Sequence, residues 1–323
     1  MKITVIIPTY RRTKDLERCL HALHKQIRPA DEVVLVVRDS DQETWEFLTT
    51  FDPLLLPLRA TTVTIPGVVA AMNAGLNVAQ GDIVAFTDDD AAPHSNWLAQ
   101  IETHFLADER VAGVGGRDWV YHGKHLEDGA CPVVGQVHWF GRIIGNHHQG
   151  IGAPREVDVL KGVNMSFRRQ AIQKLHFDQR MLGTGAQVHF EVAFCLALKR
   201  AGWKLIYDPQ VGVNHYPAQR FDEDQRNQFN AIAVVNAVHN ETLALLEHLS
   251  PIQRLAFLAW AGLVGTRDAM GLIQWLRFLP SEGLLAGQKL LASWRGRWQG
   301  WQTWQFKREW GMGHREERVM SNE

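Results

Sequence analysis

An alternation of strand-like and helix-like segments along the first ninety residues constrains the fold more than any other feature of the sequence. Short apolar runs have the length and composition of buried strands, and the segments between them have the periodicity of helices. The predicted strands are residues 3–7, 32–37, 61–65 and 83–87, and the predicted helices are residues 13–23, 42–50 and 68–79. This order predicts an α/β fold with a doubly wound, mostly parallel sheet.

Polar clusters follow three of the predicted strands. Residues 9–12 (Thr-Tyr-Arg-Arg) follow the first strand, residues 39–41 (Asp-Ser-Asp) the second and residues 88–90 (Asp-Asp-Asp) the fourth. Ligands of open α/β sheets bind beyond the carboxyl ends of the strands, so we expect these clusters to meet at one edge of the sheet. That edge is the predicted ligand site.

The acidic triplet Asp88-Asp89-Asp90 has two interpretations. Adjacent carboxylates repel one another unless a cation is present, and oxygen ligands at this density suit Mg²⁺ or Mn²⁺ bridging to a diphosphate. Alternatively, the triplet is an acidic loop that caps a helix beginning near residues 95 and 96, because Asp is a favoured N-cap residue. The apolar strand directly before the triplet favours the metal site.

The composition excludes some partners and compartments. The 34 Lys and Arg residues nearly balance the 35 Asp and Glu residues, so no overall field attracts nucleic acid and none is expected as a partner. The three cysteines are far apart, which argues against a zinc site or disulfides and favours a reducing compartment. The N-terminus has the pattern of a strand rather than a signal peptide, and no apolar run reaches the roughly 18 residues of a membrane span. A cytoplasmic location is therefore expected.

The remaining chain divides into an irregular part, a regular part and a helical part. Residues 113–162 are rich in Gly, His and Trp and have the irregular pattern of loops. Regular elements then return, as strands at residues 157–160, 165–167, 204–207 and 211–214 and a helix at residues 188–201. Because the chain has a helical pattern from residue 220 to its end, we predict two domains, residues 1–219 and residues 220–323.

The helical part has an unusual composition. Seven of the 12 tryptophans lie beyond residue 251, and residues 289–308 contain Lys and Arg but no acidic residue. Tryptophans beside basic residues are typical of helices that lie on an anionic bilayer. Alternatively, these helices form a subdomain that packs on the rest of the chain or on a second copy in a homo-oligomer.

A series of motifs is similar to the motifs of one enzyme family. They are residues 5–12 (VIIPTYRR), 72–76 (MNAGL), 81–82 (GD), 86–90 (FTDDD), 97–98 (WL), 162–169 (GVNMSFRR), 177–178 (FD), 202–209 (GWKLIYDP) and His215. Over residues 3–215 the chain resembles the family 2 glycosyltransferases of the bacterial polysaccharide type, which have the GT-A fold. The resemblance implies metal-dependent, inverting transfer of a sugar from a UDP-, GDP- or dTDP-linked donor to a hydroxyl of a glycan or lipid-linked glycan.

The resemblance also implies which residues bind the donor. The residues that would border the nucleotide or its diphosphate are Pro8, Thr9, Tyr10, Arg12, Asn73, Asp88 and Asp89. In the family an aspartate that ends the second strand bonds the base, but here Arg38 precedes Asp39. Asp39 or Asp41 must therefore serve, and Asp39 is favoured, although an Asx-turn is the alternative for either. Met72 also departs from the family, which often has an arginine there.

The implied catalytic residues include metal ligands and a base. Asp90 is the first choice as a ligand of Mn²⁺ or Mg²⁺, Asp88 is a ligand or ribose contact, and His215 completes the site. By position before Gly202, Glu191 corresponds to the base that deprotonates the acceptor hydroxyl, where the family usually has Asp. The alternatives are that His215 is structural and that Glu191 only favours the helix dipole. His189 is a rival base on the same turn.

Acceptor contacts are the least constrained of the predictions. The candidates are Trp119, Trp139, Phe140, Asn164 and His189. Aromatic faces can stack on sugars, although core packing is the usual role of a tryptophan. A lipid-linked acceptor would suit peripheral attachment to the cytoplasmic face of the inner membrane. Three other functions stay open. They are a catalytically silent nucleotide- or glycan-binding module, a membrane-bound scaffold that rests only on the C-terminal helices and, with less support because no glycine-rich loop follows the first strand, a sugar nucleotidyltransferase.

Overall fold

The chain folds into two compact units. The computed structural model describes residues 1–52, 55–225 and 228–320, and it describes the side chains of the last helix as far as residue 306. The first unit consists of Met1–His138, Ile143–Gln179 and Phe194–Arg220, and the second consists of Trp139–Arg142, Arg180–Ala193 and Phe221–Glu323. The predicted domain boundary at residues 219 and 220 stays a prediction, and two short segments before it group with the second unit.

Strands and helices alternate from residue 3 to residue 87. The strands are β1 (Ile3–Thr9), β2 (Glu32–Arg38), β3 (Leu58–Val63), β4 (Ile83–Thr87), β5 (Ala91–Pro93), β6 (Val111–His122), β7 (His125–Leu126), β8 (Gln136–Val137), β9 (Ile143–Ile144), β10 (Arg155–Val157), β11 (Asn164–Arg168) and β12 (Lys204–His215). The helices are α1 (Thr13–His24), α2 (Gln42–Thr50), α3 (Val68–Val78), α4 (Trp97–Ala107), α5 (Arg169–Ile172), α6 (Phe190–Arg200), α7 (Ala231–His248), α8 (Pro251–Leu263), α9 (Leu272–Glu282) and α10 (Leu284–Met320). A 3₁₀ turn covers His147–Gln149.

The main sheet of the first unit has the strand order β10-β12-β6-β11-β4-β1-β2-β3. Strands β3, β2, β1 and β4 are parallel neighbours, and β12 is parallel to β6. Strand β11 runs antiparallel between β4 and β6, and β10 and β5 pair antiparallel with β12. The predicted α/β class with a mostly parallel sheet and helical C-terminal region is confirmed.

The core of the first unit is built from the strands that are buried on both faces. All apolar residues of β1, β2 and β4 except Pro8 are buried, as expected for parallel strands covered by helices. Helix α1 adds the buried stripe Leu16, Cys19, Leu20 and Leu23. These strands fix the positions of the residues that follow them, which are the polar clusters predicted to form the site.

Several predicted boundaries differ from the structure for identifiable reasons. The predicted strands at residues 204–207 and 211–214 form one strand, β12, whose pairing with β6 is interrupted between Asp208 and Val213. Pro209 lies in the interruption, where its missing N–H cannot contribute to the ladder. The strand predicted at residues 157–160 is β10, which ends at Val157 because the N–H groups of Asp158 and Val159 donate to the carbonyl of Gly135.

The prediction that residues 113–162 are irregular is wrong at its beginning. Strand β6 covers Val111–His122 and lies between β12 and β11 in the sheet. Its glycines disfavour a strand by propensity, but each faces a neighbour too close for a side chain. A Cβ on Gly113 would lie 2.7 Å from a methyl of Leu205, and one on Gly116 would overlap the carbonyl oxygens of Asp208 and Val211. Close packing of the neighbouring strands therefore requires glycine at these positions, and the same glycines made β6 unrecognisable as a strand from its sequence.

In the second unit, α10 packs closely on α7. A Cβ on Gly296 would lie 2.7 Å from the carbonyl oxygen of Val235, and one on Gly300 would lie 2.8 Å from that of His239. Arg297 of α10 is buried, and its Nη1 lies 2.6 Å from Oε2 of Glu241 on α7. Small residues at this helix contact allow the two backbones to approach each other.

The packing of α10 on α7 buries part of the basic, tryptophan-rich segment, residues 289–308, that was predicted to lie on a membrane. Arg297 and Trp304 are buried in the second unit, whereas Trp294 and Trp298 are exposed. The side chains of Lys307, Arg308 and Trp310 lie outside the described residues. In the part of the chain that the structure describes, no helix has the length and apolar character needed to cross a membrane.

Candidate active site

The acidic triplet follows β4 at the carboxyl edge of the sheet and lies beside the end of β12. Ligand atoms of Asp88, Asp90 and His215 all lie within 4.8 Å of one another, and we name these three residues the acidic cluster. The triplet does not cap α4, because β5 intervenes and the N-cap of that helix is Asn96. The helix-cap interpretation is therefore wrong.

Asp90 is held in place from two directions. Its Oδ2 accepts a hydrogen bond from the N–H of Ala218 at 2.9 Å, and its Oδ1 lies 3.4 Å from Nε2 of His215. Burial opposes ionisation of Asp90, but His215, the N–H of Ala218 and Arg12 together outweigh it and lower the pKa of this carboxyl well below its usual range. Asp90 is therefore a carboxylate, the form that can ligate a metal.

His215 lies between two carboxylates. Its Nδ1 is 3.6 Å from Oδ2 of Asp118, and its Nε2 faces Asp90. Both distances exceed those of ordinary N–H···O bonds, and within residues 1–52, 55–225 and 228–320 neither ring nitrogen has a hydrogen-bond partner. Burial lowers the pKa of His215, but Asp118 and Asp90 together raise it to about 9. A buried nitrogen without a hydrogen bond, beside two carboxylates, has the surroundings of a metal ligand.

Asp118 is a site residue that the sequence did not reveal. It is fully buried on β6, and its Oδ2 contacts Nζ of Lys161. Although burial opposes its ionisation, Lys161 and His215 lower the pKa of Asp118 to about 2. A carboxylate on the second nitrogen of a ligating histidine fixes the orientation of its ring. The signal that could have found Asp118 was its position on a strand, which the glycines of β6 obscured.

Asp89 points to different partners from those of its two neighbours. Its Oδ2 accepts from the hydroxyl of Thr9 at 2.9 Å, and its Oδ1 lies 3.0 Å from Nη1 of Arg12. Burial raises the pKa of Asp89 to about 7, with Arg12 opposing this shift and Asp90 adding to it. Arg12 also donates to the carbonyl of Gln219 at 2.8 and 3.1 Å. Asp89 therefore connects the end of β4 to the end of β1.

The two aspartates after β2 have different surroundings. Asp41 is buried and caps α2, accepting from the hydroxyl of Thr44 at 2.7 Å and from the N–H of Arg11 at 2.7 Å. Asp39 is exposed, and its Oδ1 accepts only from the adjacent N–H of Ser40 among the bonds of the described chain. Of the two, Asp39 has the side chain that a solvent-borne ligand can reach.

Tyr10 and Pro8 lie beside the same sheet edge. Pro8 is partly buried in β1, and Tyr10 follows the strand. The guanidinium groups of Arg11 and Arg38 lie 5.2 and 5.4 Å from the ring centroid of Tyr10. Arg11 has a positive φ of 56°, so the chain turns sharply here before α1 begins. The turn places aromatic and cationic groups together at the end of β1.

Two predicted ligand contacts are amides that form hydrogen bonds within the core. Asn73 is buried and exchanges bonds of 2.9 and 2.8 Å with the backbone of Phe177. Asn164 is buried, accepts from the indole N–H of Trp97 at 2.9 Å and donates to the carbonyl of Val211 at 2.7 Å. These bonds give both amides a structural role, and their contacts with a donor or acceptor stay predictions.

Glu191 lies in the first turn of α6, and the preceding loop belongs to the second unit. Asn240 of α7 donates to the carbonyls of Leu182 and Val188 at 3.0 and 3.1 Å and accepts from the N–H of Leu182 at 2.7 Å. His189 has a φ of 74°, a strained conformation for a residue with a side chain. Asn240 therefore holds the loop that leads to Glu191.

The predicted aromatic acceptor contacts belong to different units. Trp119 lies on β6, with the guanidinium carbon of Arg117 3.7 Å from its ring centroid. Trp139 and Phe140 belong to the second unit, where Phe140 packs against Trp260 with centroids 5.4 Å apart. Trp139 is exposed. Phe140 is therefore a packing residue, and Trp139 keeps a face available to solvent.

Comparison with known proteins agrees with the observed fold. The family described as Glycosyl transferase family 2 matches residues 4–176. The glucosyl-dolichyl phosphate glucuronosyltransferase of Haloferax volcanii is 23% identical over 225 residues, which cover 67% of this chain and 69% of that protein. Two of the other curated relatives are covered over less of their length, one of them over 33% and the other over 54%.

Two solved structures have a similar fold at low identity. S. aureus TarS in complex with UDP-GlcNAc has a TM-score of 0.60 and 16% identity, with 90% of this chain and 79% of that chain covered. The mannosyltransferase PcManGT from Pyrobaculum calidifontis, in complex with GDP-Man and Mn²⁺, has a TM-score of 0.54 and 17% identity, with 96% and 87% covered. The fold is therefore of the GT-A type. Because the family match spans more than half of the 323 residues and the site lies at the expected sheet edge, the chain belongs to glycosyltransferase family 2.

Proposed function

We propose that this protein transfers a sugar, with inversion, from a nucleotide-diphosphate sugar to a hydroxyl of a glycan or lipid-linked glycan. The acidic cluster carries the proposal, because it gathers two carboxylates and a histidine at the carboxyl edge of the sheet. A donor diphosphate brings several negative charges to such an edge, and a cation held by these side chains would balance them. The proposed donors are UDP-, GDP- or dTDP-linked sugars.

The residues of the acidic cluster fit a divalent cation. Carboxylate oxygens suit both Mg²⁺ and Mn²⁺, and an imidazole nitrogen suits Mn²⁺ better than Mg²⁺. The ring nitrogens of His215, which lack a hydrogen bond among the described residues, support its part in the set. The similar structure of PcManGT contains GDP-Man and Mn²⁺. When bound, the ion would neutralise the charge that develops on the leaving diphosphate.

The chain's own residues would bind and orient the donor. Asp39, exposed after β2, is the proposed partner of the base, and Tyr10 supplies an aromatic face near it. Thr9 and Arg12 hold Asp89 at 2.9 and 3.0 Å, which keeps the backbone between Asp88 and Asp90 in place. In this proposal Asp89 acts by positioning its two neighbours.

Glu191 is the proposed general base. A carboxylate within reach of the acceptor hydroxyl removes its proton as the oxygen attacks the anomeric carbon, and this attack from the opposite face inverts the configuration. The loop held by Asn240 leads directly to Glu191. His189 is the rival base, and the exposed Trp139 and the β6 residue Trp119 are proposed to contact sugar rings of the acceptor.

The acceptor and the location are also proposals. One relative is named as a glucosyl-dolichyl phosphate glucuronosyltransferase, and this supports a lipid-linked acceptor for the present chain. Such an acceptor would require the enzyme to work at a membrane surface. We propose the cytoplasmic face of the inner membrane, where nucleotide sugars are available.

A donor panel tests the proposed reaction. Purified protein is incubated with UDP-, GDP- and dTDP-linked sugars and Mn²⁺, Mg²⁺ or chelator, and released nucleotide and product configuration are measured. We expect nucleotide release with one donor class, dependent on the ion, and an inverted product. Absence of hydrolysis and transfer with every donor would contradict the proposal.

Glu191→Gln distinguishes an enzyme from a silent binding module. This variant should lose about 10²- to 10⁴-fold in kcat and keep its donor affinity, because only the proton acceptor is removed. Glu46→Gln makes the same change at an exposed position of α2 and should leave both quantities unchanged. Equal rates for wild type and Glu191→Gln would remove Glu191 as the base.

A further inference from the structure

The second unit contains a cavity of about 410 Å³ whose lining includes no residue assigned to the proposed reaction. It lies where α8 ends and α9 begins, and Arg142 also lines it. Its walls are formed by Arg142, Trp260, Val264, Gly265, Thr266, Arg267, Gln274, Arg277 and Phe278. We name it the arginine pocket.

The lining of the arginine pocket is cationic. Arg142, Arg267 and Arg277 are exposed, and no carboxylate of the described chain lines the pocket. None of the three forms an ion pair within residues 1–52, 55–225 and 228–320, although Asp268 is next to Arg267 in sequence. The guanidinium carbons of Arg267 and Arg277 lie 5.3 and 5.5 Å from the ring centroid of Phe278. Two positive charges are therefore stacked on one ring without a negative partner.

A buried acceptor atom in the same wall also lacks a partner. Oε1 of Gln274 is inaccessible to solvent and has no hydrogen bond among the described residues. An acceptor that is shielded from water and left unbonded is costly, so rotation of the Gln274 side chain towards a hydroxyl donor bound in the pocket would be favourable. A phosphate ester of glycerol or of a sugar offers anionic oxygens for the arginines and hydroxyl groups for Gln274.

Apolar stripes lie on the two helices that form the pocket. On α8 they are Ile252, Leu255 and Leu263, and on α9 they are Ile273, Leu276 and Leu279, with exposures from 39% to 76%. Within each helix these residues are separated by about one or two helical turns, so the three residues of α8 lie on one side of that helix and the three residues of α9 lie on one side of the other. Helix α9 has no buried residue at all. Exposed apolar faces of this extent mark an interaction surface.

We propose that the arginine pocket binds the phosphate group of an anionic phospholipid while the apolar stripes of α8 and α9 lie in the membrane interface. Guanidinium groups match phosphate oxygens in pairs, and short helices with one apolar side and basic flanks lie on a bilayer rather than cross it. The unneutralised charge favours this partner over a second copy of the chain, whose matching pocket would bring like charges together. The proposal does not rest on the reaction at the acidic cluster.

Vesicle binding tests the proposal. Full-length protein is mixed with vesicles of phosphatidylcholine alone or with added phosphatidylglycerol, and the bound fraction is measured by flotation. We expect binding to require phosphatidylglycerol. Arg267→Gln combined with Arg277→Gln should lower the partition coefficient about 30-fold at low salt, since each basic residue near the surface contributes about fivefold.

Matched variants separate local charge from total charge. Lys25→Gln combined with Lys174→Gln removes two exposed charges from the first unit and should leave binding nearly unchanged. Leu276→Ser changes an exposed apolar residue and should weaken binding without lowering thermal stability. Circular dichroism and the melting temperature of each variant establish that it folds.

Three results would overturn the proposal. The first is equal binding of wild type and the double arginine variant to anionic vesicles. The second is stabilisation of wild type by glycerol phosphate, lost in the double arginine variant, without any vesicle binding, which would assign the pocket to a soluble phosphate ester. The third is concentration-dependent self-association that Leu276→Ser abolishes, again without vesicle binding, which would assign the stripes to a second copy.

Discussion

The acidic cluster and the arginine pocket have opposite charge, and they are also constructed in opposite ways. Asp90 and His215 are buried at strand ends, and their neighbours, a backbone N–H and the carboxylate of Asp118, fix their orientation. Arg267 and Arg277 are exposed on long side chains and share the ring of Phe278. The sheet fixes the positions of the side chains in the acidic cluster. In the arginine pocket the number of positive charges is fixed, but the positions of the exposed guanidinium groups are less constrained.

This difference predicts different ligand selection. Charges in a buried site interact strongly and over fixed distances, whereas exposed charges are screened by water and salt. The acidic cluster should therefore discriminate between ligands by coordination geometry, and changes of a single atom should matter. The arginine pocket should respond mainly to the number of charges.

The largest effect is expected from Asp90→Asn. The amide keeps the shape of the side chain and removes its charge, so kcat/KM with Mn²⁺ should fall about 10³-fold. Mn²⁺ affinity, measured by calorimetry, should fall as well. Asp128→Asn, the same change in an exposed loop, is the control and should alter neither quantity. Unaltered Mn²⁺ affinity in Asp90→Asn would mean that the cluster is not the metal site.

A smaller effect, on the pH dependence of stability, tests how strongly burial alone shifts the pKa of a side chain in this protein. His147 is buried on the 3₁₀ turn, and this burial lowers its pKa to about 4 although Nε2 lies 2.9 Å from the carbonyl of Val159. The folded state thus keeps His147 neutral, and stability present above the ordinary pKa of about 6.5 is lost as pH falls from about 6.5 towards 4. Between pH 7.5 and 5 the loss should be about 2 kcal/mol.

Urea unfolding of wild type and His147→Gln at these two pH values measures the effect. Gln can still donate to Val159 but does not titrate, so its unfolding free energy should change less with pH, by about 2 kcal/mol. Identical pH dependence in the two proteins would show that burial at this position does not hold the imidazole neutral.

The next effect concerns the orientation of His215. Asp118→Asn should weaken Mn²⁺ binding about 10- to 100-fold, because the ring loses the carboxylate that fixes it. Lys161→Gln removes the other partner of Asp118 and serves as the comparison. If Lys161→Gln strengthened Mn²⁺ binding by the factor by which Asp118→Asn weakened it, the two changes would reflect the local charge balance rather than the orientation of the ring.

The smallest effect is expected from the dependence of Mn²⁺ affinity on salt concentration. Raising the ionic strength from about 0.1 to 1 M shortens the screening length from about 10 to 3 Å. Mn²⁺ affinity should then fall by no more than about threefold, whereas binding to anionic vesicles should be largely lost. Similar losses at the two sites would remove the distinction between them.

Sequence patterns predicted the first half of the sheet well because its strands are apolar throughout. Strand β4 and helix α2 begin and end where expected, and the acidic triplet lies at the predicted edge. Strand β6 was missed because the low β-propensity of glycine takes no account of tertiary contacts. Gly113 and Gly116 are required by neighbours that are distant in sequence.

The candidate site was predictable in its charged residues and less so in their partners. The proximity of Asp88, Asp90 and His215 followed from strand ends and the family motifs. The different role of Asp89 within the triplet was not predicted, because it depends on hydrogen bonds from Thr9 and Arg12, which follow from the fold. The arginine pocket was not predicted, because its cations come from segments without a shared motif.

The hydrogen bonds of Asn240 connect the loop before Glu191 to the last helix. Besides holding Leu182 and Val188, Asn240 lies 2.9 Å from Nδ1 of His239, whose Nε2 lies 2.9 Å from the hydroxyl of Thr303 on α10. Parts joined through such buried bonds share a single cooperative opening, so amide exchange at Leu182 should report on the end of the chain. Shortening the protein before Thr303 would then loosen the segment that carries its proposed base.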